Sequence, residues 1–282
     1  MERSSLRRAL AYGTSKLEGI AEQPRRDAEL LLLRVLGRDR AFLLVYPDAE
    51  VTAEQLALYD DWLRRRAAHE PIQYILGEQE FFGLKLAVTP DVLIPRPETE
   101  HLVEALLDRV PRDQSLRIVD IGTGSGAIAV ALAHALPHAE VTALDISEAA
   151  LAVARRNAEV NGVAERMRFL ESDLLSAVAG EQFDAVVSNP PYVAEADRES
   201  LESQVRDYEP AVALFGGPSG IEVYERLIPQ AHAVLEPDGW LLMEMGLGQR
   251  DAVRRLLSGW DDVSFVDDLQ RIPRVACARR KA

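Results

Sequence analysis

The tetrapeptide Asn189-Pro190-Pro191-Tyr192 has the residue types and order that point most directly to chemistry. Its two consecutive prolines exclude a helix and hold the chain in a rigid loop. Such a loop can present the Asn189 side chain and the Pro190 carbonyl to a planar substrate, with the Tyr192 ring as a stacking face. When these two oxygens accept the N–H hydrogens of an amide or exocyclic amine, electron density shifts onto that nitrogen. We therefore predict group transfer to a planar nitrogen, with Asn189, Pro190 and Tyr192 as catalytic residues and the whole tetrapeptide as the substrate-binding loop.

A glycine-rich loop, Gly122-Thr123-Gly124-Ser125-Gly126, connects a predicted strand to a predicted helix. Glycine lets the backbone turn sharply and approach a ligand closely. The loop follows the first strand at its carboxyl end, where open α/β sheets bind nucleotides. Asp145 ends the next predicted strand, where its carboxylate can accept hydrogen bonds from both hydroxyls of a ribose. These residues predict a site for a nucleoside cofactor.

The glycine spacing alone leaves the identity of that cofactor open. The pattern Gly122-x-Gly124-x-x-Ala127 is similar to a dinucleotide fingerprint. The pattern Asp120-x-Gly122-x-Gly124-x-Gly126 is similar to the loop of enzymes that use S-adenosylmethionine (AdoMet). The Asn-Pro-Pro-Tyr tetrapeptide favours the second cofactor.

Helical and strand patterns alternate from Glu98 onward, which predicts a parallel sheet with helices on both faces. The predicted helices are Glu98–Arg109, Gly124–Leu136, Ser147–Asn161, Gly220–Leu235 and Gln249–Ser258. The predicted strands are Leu116–Ile121, Glu140–Asp145, Met167–Glu171, Phe183–Ser188, Trp240–Met245, Val263–Val266 and Arg274–Ala278. Because the last two strands follow one another without a helix, we expect the final strand to insert antiparallel.

The first part of the chain has the pattern of a small helical bundle. One helix is expected from Pro24 to a stop at Gly37, and a capping box of Thr52 and Gln55 begins another. Apolar residues alternate weakly with other residues over 81–90, and turn formers bound this stretch, which predicts a β-hairpin or an extended linker. We therefore predict a helical substrate-recognition domain over residues 1–75, a β-hairpin linker over residues 76–95 and a catalytic domain over residues 96–282.

The composition limits the classes of partner. The chain has 32 basic and 46 acidic residues, a net charge of −14, and residues 76–282 carry all of this excess. A domain this acidic is poorly suited to binding nucleic acid directly. The single cysteine, Cys277, excludes an internal disulfide, and the scattered histidines predict no metal site. Without a signal peptide or an apolar run of membrane length, we expect a cytoplasmic protein that does not bind membranes.

The residues quoted above together resemble the class I AdoMet-dependent methyltransferases that modify planar nitrogens. Three further stretches narrow the resemblance: Phe82-Gly83, Val88-Thr89 and Leu93-Ile94-Pro95-Arg96-Pro97-Glu98-Thr99-Glu100. With them, nearly the whole chain is similar to the PrmC/HemK family, the protein-(glutamine-N5) methyltransferases of bacterial peptide chain release factors.

The resemblance implies a fold, an activity and a partner. The fold is a Rossmann-like, seven-stranded α/β domain preceded by a helical bundle and a β-hairpin linker. The activity is methylation of the glutamine in the Gly-Gly-Gln motif of release factors, with AdoMet as donor and S-adenosylhomocysteine as product. We expect a monomer.

The resemblance also assigns roles to single residues. Gly122, Thr123, Gly124, Ser125 and Gly126 would hold the methionine and ribose of AdoMet, and Asp145 would bind the ribose hydroxyls. Asp173 would contact the adenine, and Leu174 would pack on it where the family often has an aromatic residue. Asn189, Pro190, Pro191 and Tyr192 would receive the glutamine, and Asn189 would also contact AdoMet. The roles of Arg96, as a ligand contact or an interdomain ion pair, and of the loop over residues 193–218 stay open.

Three other functions compete with this interpretation. An adenine-N6 methyltransferase acting on DNA or RNA would find the same two hydrogens on its target amine, but it needs base flipping and a basic groove. An NAD-dependent oxidoreductase would explain the glycine spacing and leave the Asn-Pro-Pro-Tyr tetrapeptide without a role. A nucleoside-binding module without activity would be excluded by measurable turnover.

Overall fold

The computed structural model describes residues 4–281, which form two compact units. The first unit contains the chain up to Gly77 together with Glu202–Tyr208, and the second contains Glu78–Leu201 and the chain from Glu209 onward. By its contacts, the predicted β-hairpin therefore belongs to the second unit. The three-part division of the chain at residues 75 and 95 stays a prediction.

The first unit is built mainly from helices. They are α1 (Leu6–Leu17), α2 (Pro24–Leu36), α3 (Arg40–Val45), α4 (Ala53–Ala67) and α5 (Ile72–Leu76), with β1 (Ser4–Ser5) and β2 (Glu50–Val51) paired antiparallel. As the sequence predicts, α2 has Pro24 in its first turn and ends at Gly37 in the left-handed conformation. The capping box of Thr52 and Gln55 at the start of α4 is also present. The buried Tyr59 hydroxyl donates to the carbonyl of Ala28 at 3.0 Å and so ties α4 to α2.

The second unit contains a hairpin and a seven-stranded sheet. The hairpin strands are β3 (Glu78–Phe81) and β4 (Leu84–Ala87). The sheet strands are β5 (Arg117–Ile121), β6 (Glu140–Asp145), β7 (Met167–Glu171), β8 (Phe183–Ser188), β9 (Leu235–Glu244), β10 (Asp261–Asp267) and β11 (Pro273–Arg279). Their order is β10-β11-β9-β8-β5-β6-β7. Strands β5 to β9 are parallel, and β11 inserts antiparallel between β9 and β10, which confirms the expectation for the final strand.

The helices that accompany the sheet are α6 (Glu100–Leu107), α7 (Ala127–Ala135), α8 (Glu148–Val160), α10 (Ala211–Leu214), α11 (Glu222–Val234) and α12 (Arg250–Leu256). Helix α9 (Ser203–Tyr208) belongs to the first unit. Short 3₁₀ turns lie at Pro97–Thr99, Ala164–Arg166, Ser176–Val178 and Glu195–Ser200.

Most predicted boundaries agree with the structure within two residues, and two differ by three residues or more for reasons visible in the backbone. Helix α7 begins at Ala127, three residues after the predicted start, because Gly124 and Gly126 have left-handed φ angles of +54° and +81°. Strand β9 begins at Leu235 and not at Trp240 because Leu235 still pairs with Phe183 of β8. The residues between Leu235 and Trp240 form an irregularity in this pairing.

The sheet is covered by an apolar core on each face. Helix α7 is buried at every position from Ala127 to Ala133, which is the state expected of a helix that is apolar on all sides. On the other face, Tyr224 and Leu227 of α11 pack with Met243 of β9 in a second cluster. Within residues 4–281, none of the helices has the length and apolar character that crossing a bilayer requires.

Candidate active site

The carboxyl ends of β5, β6 and β8 open into a cleft of about 280 Å³ in the second unit, close to the ~300 Å³ at which small-molecule sites begin. Parallel neighbouring strands bring their following loops to the same edge of the sheet, so this is the expected place for a ligand. The predicted site residues that line the cleft are Gly122, Thr123, Gly124, Ser125, Asp145, Asp173, Leu174, Asn189, Pro190 and Pro191. The lining also contains Arg96, for which the sequence left a ligand contact open, and Thr99 and Arg226, which the sequence did not predict there.

The glycine loop offers open backbone to the cleft. Gly122 and Gly124 have φ angles of +67° and +54°, and a Cβ atom at either position would meet no atom within 4 Å. Gly126 differs, because its Cβ would lie 3.1 Å from the Cβ of Ala154. The predicted contact of Gly126 with the cofactor has no support in the cleft lining, and this glycine instead allows α7 to pack closely on α8.

Asp145 is held by two backbone donors. Its Oδ2 accepts from the N–H of Gly124 at 2.9 Å and its Oδ1 from the N–H of Ser147 at 2.9 Å. Burial raises the pKa of Asp145 above its ordinary value, and these hydrogen bonds oppose the rise. Because a carboxylate has about four acceptor positions, Asp145 keeps capacity for two further donors. That capacity fits the two hydroxyls of a ribose.

Asp173 and Leu174 lie next to each other on the cleft wall after β7. Asp173 Oδ2 accepts from Arg226 Nη2 at 2.6 Å, and both side chains are about half exposed. Leu174 has a left-handed φ of +52°, and its carbonyl accepts from the Ser172 hydroxyl at 2.8 Å. One oxygen of Asp173 is therefore already hydrogen-bonded to Arg226. No pattern in the sequence predicts this ion pair.

The side chain of Asn189 is anchored by a buried polar group. Asn189 follows β8, and its Nδ2 donates to Thr99 Oγ1 at 3.1 Å. Thr99 Oγ1 in turn donates to Oε2 of Glu244, the last residue of β9, at 2.5 Å. The side chains of Thr99 and Glu244 are 4 % and 2 % exposed. Burial raises the pKa of Glu244, while hydrogen bonds from Thr99 and Tyr192 and the charge of Arg274 oppose the rise.

Tyr192 is placed differently from the prediction. Its ring packs with the apolar cluster under β9, and its hydroxyl donates to Glu244 Oε1 at 3.1 Å. Burial raises the pKa of this hydroxyl, and the nearby Glu244 carboxylate raises it further. The ring is not part of the cleft lining, so the predicted stacking face for the substrate has no support. Tyr192 instead anchors the tetrapeptide, helped by Gln249 Nε2, which donates to the Tyr192 carbonyl at 2.9 Å.

Arg96, which lines the cleft, forms an ion pair with the buried Glu209. The Glu209 side chain is 1 % exposed, and its other oxygen accepts from the N–H of Ile94 at 3.1 Å. Both partners belong to the second unit, so the interdomain ion pair considered for Arg96 is not what the structure shows. The pair joins the Leu93–Glu100 stretch to the loop that follows the tetrapeptide.

Two signals in the sequence could have identified the buried polar group. Thr99 lies inside the Pro-Arg-Pro-Glu-Thr-Glu stretch that carries the family resemblance. Glu244 is the only charged residue between Leu241 and Met245, a segment that the sequence otherwise presents as core.

In residues 4–281, no group of three or more His, Cys, Asp or Glu side chains is arranged to hold a metal ion.

The groups of the cleft fit AdoMet. The open backbone of Gly122 and Gly124 leaves space for a ligand against the loop, Asp145 has acceptor capacity for a ribose diol, and Leu174 adds apolar surface. Solved structures with the same fold include a methyltransferase from Pyrococcus furiosus, with 20% identity and a TM-score of 0.54 over 71% of this chain and 91% of that chain. Another is a Thermus thermophilus 16S rRNA methyltransferase solved with AdoMet and guanosine, with 20% identity and a TM-score of 0.54 over 72% and 50% of the two chains.

The sheet order, the antiparallel β11 and the glycine loop define a class I AdoMet-dependent methyltransferase. Residues 8–77 match the family model of the PrmC N-terminal domain, and residues 98–205 match that of the methyltransferase small domain. The chain belongs to the family of release factor glutamine methyltransferases, and its cofactor is AdoMet.

Three relatives that carry the name release factor glutamine methyltransferase show this membership over most of the chain. The protein of Koribacter versatilis is 48% identical over 91% of both chains. The protein of Escherichia coli is 43% identical over 92% of this chain and 93% of its own. The protein of Coxiella burnetii is 39% identical over 98% of this chain and 99% of its own.

Proposed function

We propose that this protein transfers the methyl group of AdoMet to the side-chain amide nitrogen of the glutamine in the Gly-Gly-Gln motif of peptide chain release factors. The observation that carries the proposal is the anchored amide of Asn189, which lines the same cleft as the open glycine loop. The names of the relatives, at 39% to 48% identity, support the choice of substrate.

Bound AdoMet supplies an activated methyl group at this site. Asn189 Oδ1 and the Pro190 carbonyl accept the two N–H hydrogens of the glutamine amide, which fixes the nitrogen and raises its electron density. After transfer, the amide nitrogen loses one of these hydrogens as a proton to solvent or to a backbone acceptor. No general base is needed, because the methylated amide is a strong acid until this proton has left.

The main cofactor contacts are divided among three segments, and Asn189 adds a minor one. Gly122–Ser125 hold the methionine and ribose, Asp145 accepts from the ribose hydroxyls, and Asp173 with Leu174 contacts the adenine. Arg226 donates to Asp173 Oδ2, which leaves Oδ1 as the carboxylate oxygen with no protein donor in the way of the adenine. Tyr192 acts by holding the tetrapeptide in place, and Pro191 forms part of the cleft wall against the glutamine.

The amine of adenine presents the same two hydrogens, and the charge of the protein argues against this alternative. Residues 76–282 hold 20 basic and 34 acidic side chains, which repel the phosphates of a nucleic acid. We also propose that the enzyme works as a cytoplasmic monomer with release factors as its protein partners and without direct contact to nucleic acid.

A methyl-transfer assay with labelled AdoMet tests the substrate. Three acceptors are compared: an intact release factor, the same factor with the Gly-Gly-Gln glutamine changed to alanine, and unmethylated DNA. Label on the intact factor alone is the expected result. Label on DNA would support the adenine alternative, and label on the altered factor would place the methyl group on another residue.

Asn189→Ala tests the role of the tetrapeptide in the same assay. Loss of one oriented acceptor lowers kcat on the order of 10²-fold, while the dissociation constant of AdoMet stays within about twofold. The matched control is Asn161→Ala, because Asn161 lies at the end of α8 outside the cleft lining. Wild-type turnover in Asn189→Ala would contradict the proposed activation.

A further inference from the structure

Thr99 connects the Asn189 side chain to the buried carboxylate of Glu244. The chain of hydrogen bonds runs from Asn189 Nδ2 to Thr99 Oγ1 at 3.1 Å and from Thr99 Oγ1 to Glu244 Oε2 at 2.5 Å. The second oxygen of Glu244 accepts from the Tyr192 hydroxyl at 3.1 Å. Thr99 and Glu244 are nearly inaccessible to solvent, so water does not compete for the hydrogen bond between them.

Which atom donates in each of these hydrogen bonds follows from the number of protons that the groups carry. An ionised carboxylate can only accept hydrogen bonds. Burial favours the neutral form of Glu244, but the two hydroxyl donors and the charge of Arg274 favour the ionised form. The length of 2.5 Å between Thr99 Oγ1 and Glu244 Oε2 is that of a hydroxyl donating to a carboxylate. The single hydroxyl proton of Thr99 is therefore committed to Glu244, and its oxygen is left as an acceptor only.

Because Thr99 donates its hydroxyl proton to Glu244, the Thr99 oxygen can only accept from Asn189. This determines which end of the Asn189 amide faces Thr99. An oxygen of Asn189 placed against Thr99 would leave two acceptors in contact with no proton between them, which costs about 1–3 kcal/mol for buried groups. The NH₂ group must therefore face Thr99, as it does in the structure. This leaves Oδ1 as the group that Asn189 offers to the cleft.

We propose that Thr99 and Glu244 are positioning residues that fix the rotation of the Asn189 amide and thereby make the cleft selective for a carboxamide over a carboxylate. A carboxamide donates its N–H to Asn189 Oδ1. A carboxylate has no hydrogen to donate, and its negatively charged oxygens are repelled by Asn189 Oδ1. The inference rests on the proposed function, because it explains how the same cleft distinguishes glutamine from glutamate in a release factor.

Thr99→Val, which keeps the shape and removes the hydroxyl, is the main test. Without the acceptor at Thr99 the amide rotates freely and presents NH₂ to the cleft part of the time. We expect kcat to fall about 10- to 100-fold, with the dissociation constant of AdoMet unchanged. We also expect the inhibition constant of a release factor with glutamate in place of the Gly-Gly-Gln glutamine to fall about tenfold.

The controls separate orientation from packing. Thr99→Ser restores the hydroxyl and should return kcat to within about threefold of wild type, although it lacks the methyl group. Thr142→Val makes the same chemical change at a buried position of β6 outside the cleft lining and should leave kcat and the glutamate inhibition constant unchanged. Thermal midpoints of all variants show whether each one folds.

Glu244→Gln provides a second measurement if Thr99→Val does not fold. An NH₂ of glutamine at position 244 can donate to Thr99 Oγ1 and free the hydroxyl proton for Asn189 Oδ1, so kcat falls and inhibition by the glutamate form strengthens. The inference is overturned if Thr99→Val keeps the kcat and selectivity of wild type, or if Thr99→Ser is as impaired as Thr99→Val. Failure of the wild-type enzyme to methylate a release factor would instead overturn the proposed function.

Discussion

The backbone at Gly216 lies so close to Pro191 that a Cβ atom on Gly216 would be 2.4 Å from the Pro191 carbonyl oxygen. The approach is held by two backbone hydrogen bonds, from Val193 N–H to the Leu214 carbonyl at 2.9 Å and from Gly216 N–H to the Val193 carbonyl at 3.0 Å. The chain after the tetrapeptide therefore folds back onto it. Part of the loop over residues 193–218, whose role the sequence left open, supports the Asn-Pro-Pro-Tyr segment.

Gly216→Ala should impair catalysis while sparing the binding of AdoMet. The atom that would clash with the new Cβ belongs to a backbone stiffened by two prolines, so it cannot move aside as a flexible side chain would. A displacement of the tetrapeptide of this kind lowers kcat/KM for a release factor about 10²-fold. Steady-state kinetics and equilibrium binding of AdoMet measure the two effects.

Gly259→Ala is the matched control for this variant. A Cβ at Gly259 would meet no atom within 4 Å, and neither glycine has a positive φ angle, so the two substitutions differ only in the space available. The control should behave as wild type. An equal kcat/KM in Gly216→Ala and Gly259→Ala would show that the close approach to Pro191 has no catalytic consequence.

Asp145→Asn should weaken the binding of AdoMet. An asparagine offers one oxygen and one NH₂, so either Gly124 or Ser147 loses its acceptor and the remaining capacity for ribose hydroxyls is halved. The loss of a charge-assisted hydrogen bond, about 1.5–3 kcal/mol, raises the dissociation constant roughly 10- to 100-fold. Titration calorimetry measures this constant.

Asp184→Asn makes the same change at the opposite end of the sheet. Asp184 accepts from the backbone N–H of Arg117 at 2.7 Å and does not line the cleft. Its dissociation constant for AdoMet should match that of wild type. If both variants bind AdoMet with wild-type affinity, Asp145 does not contact the ribose.

The features that the sequence predicted well depend on local signals. Helix α2 starts at Pro24 and stops at Gly37, and the capping box of Thr52 and Gln55 lies within one turn of α4. The order of glycines and the alternation of strands and helices likewise act over short stretches of chain. Such patterns constrain the backbone directly, whatever the rest of the molecule does.

The anchoring of Asn189 could not be predicted because its partners are distant in sequence. Thr99 lies in the turn before α6, 145 positions from Glu244 at the end of β9. Asn189 lies beside them only because β8 pairs with β9. The placement of Tyr192 has the same origin, since the Glu244 carboxylate draws its hydroxyl away from the cleft. A pattern of residue types shows which groups are present and does not show how two neighbouring strands orient them.

The turn before β11 has a residue other than glycine in the left-handed region of backbone conformation. This residue is Arg271, with φ of +63°. The Asp268 carboxylate accepts from the N–H groups of Gln270 and Ile272 and from Arg274 Nε. These hydrogen bonds offset the strain of about 1 kcal/mol or more that a side chain meets at positive φ.

Glu209→Ala should destabilise the second unit. The change leaves the N–H of Ile94 without its acceptor and Arg96 without its charge partner. Removal of one member of a buried pair costs about 3 kcal/mol of unfolding free energy, somewhat less here because Arg96 is one-third exposed. Glu181→Ala is the control, because Glu181 pairs with Arg117 and Arg168 near the surface, where a pair contributes about 1 kcal/mol or less. Equal losses in urea unfolding would contradict the proposed difference.

Asp120 should make the stability of the protein depend on pH. It is fully buried on β5, where burial raises its pKa from 3.8 to about 7, against the opposing hydrogen bond from Thr123 Oγ1. Between these two pKa values the native protein keeps a proton that the unfolded chain releases, so the free energy of unfolding falls as pH rises through this window and levels off above about 7. Asp120→Asn stays neutral and lacks this fall.

The contribution of Asp120 is read from the difference between the variant and the wild type. In urea unfolding without AdoMet, the stability of Asp120→Asn relative to wild type should increase by on the order of 4 kcal/mol between about pH 4 and pH 8. Asp113→Asn, at an exposed position, should follow the wild-type dependence on pH. If the curves for Asp120→Asn and wild type instead run parallel over this range, Asp120 does not hold a proton in the native protein, and its buried charge must be compensated by groups other than Thr123.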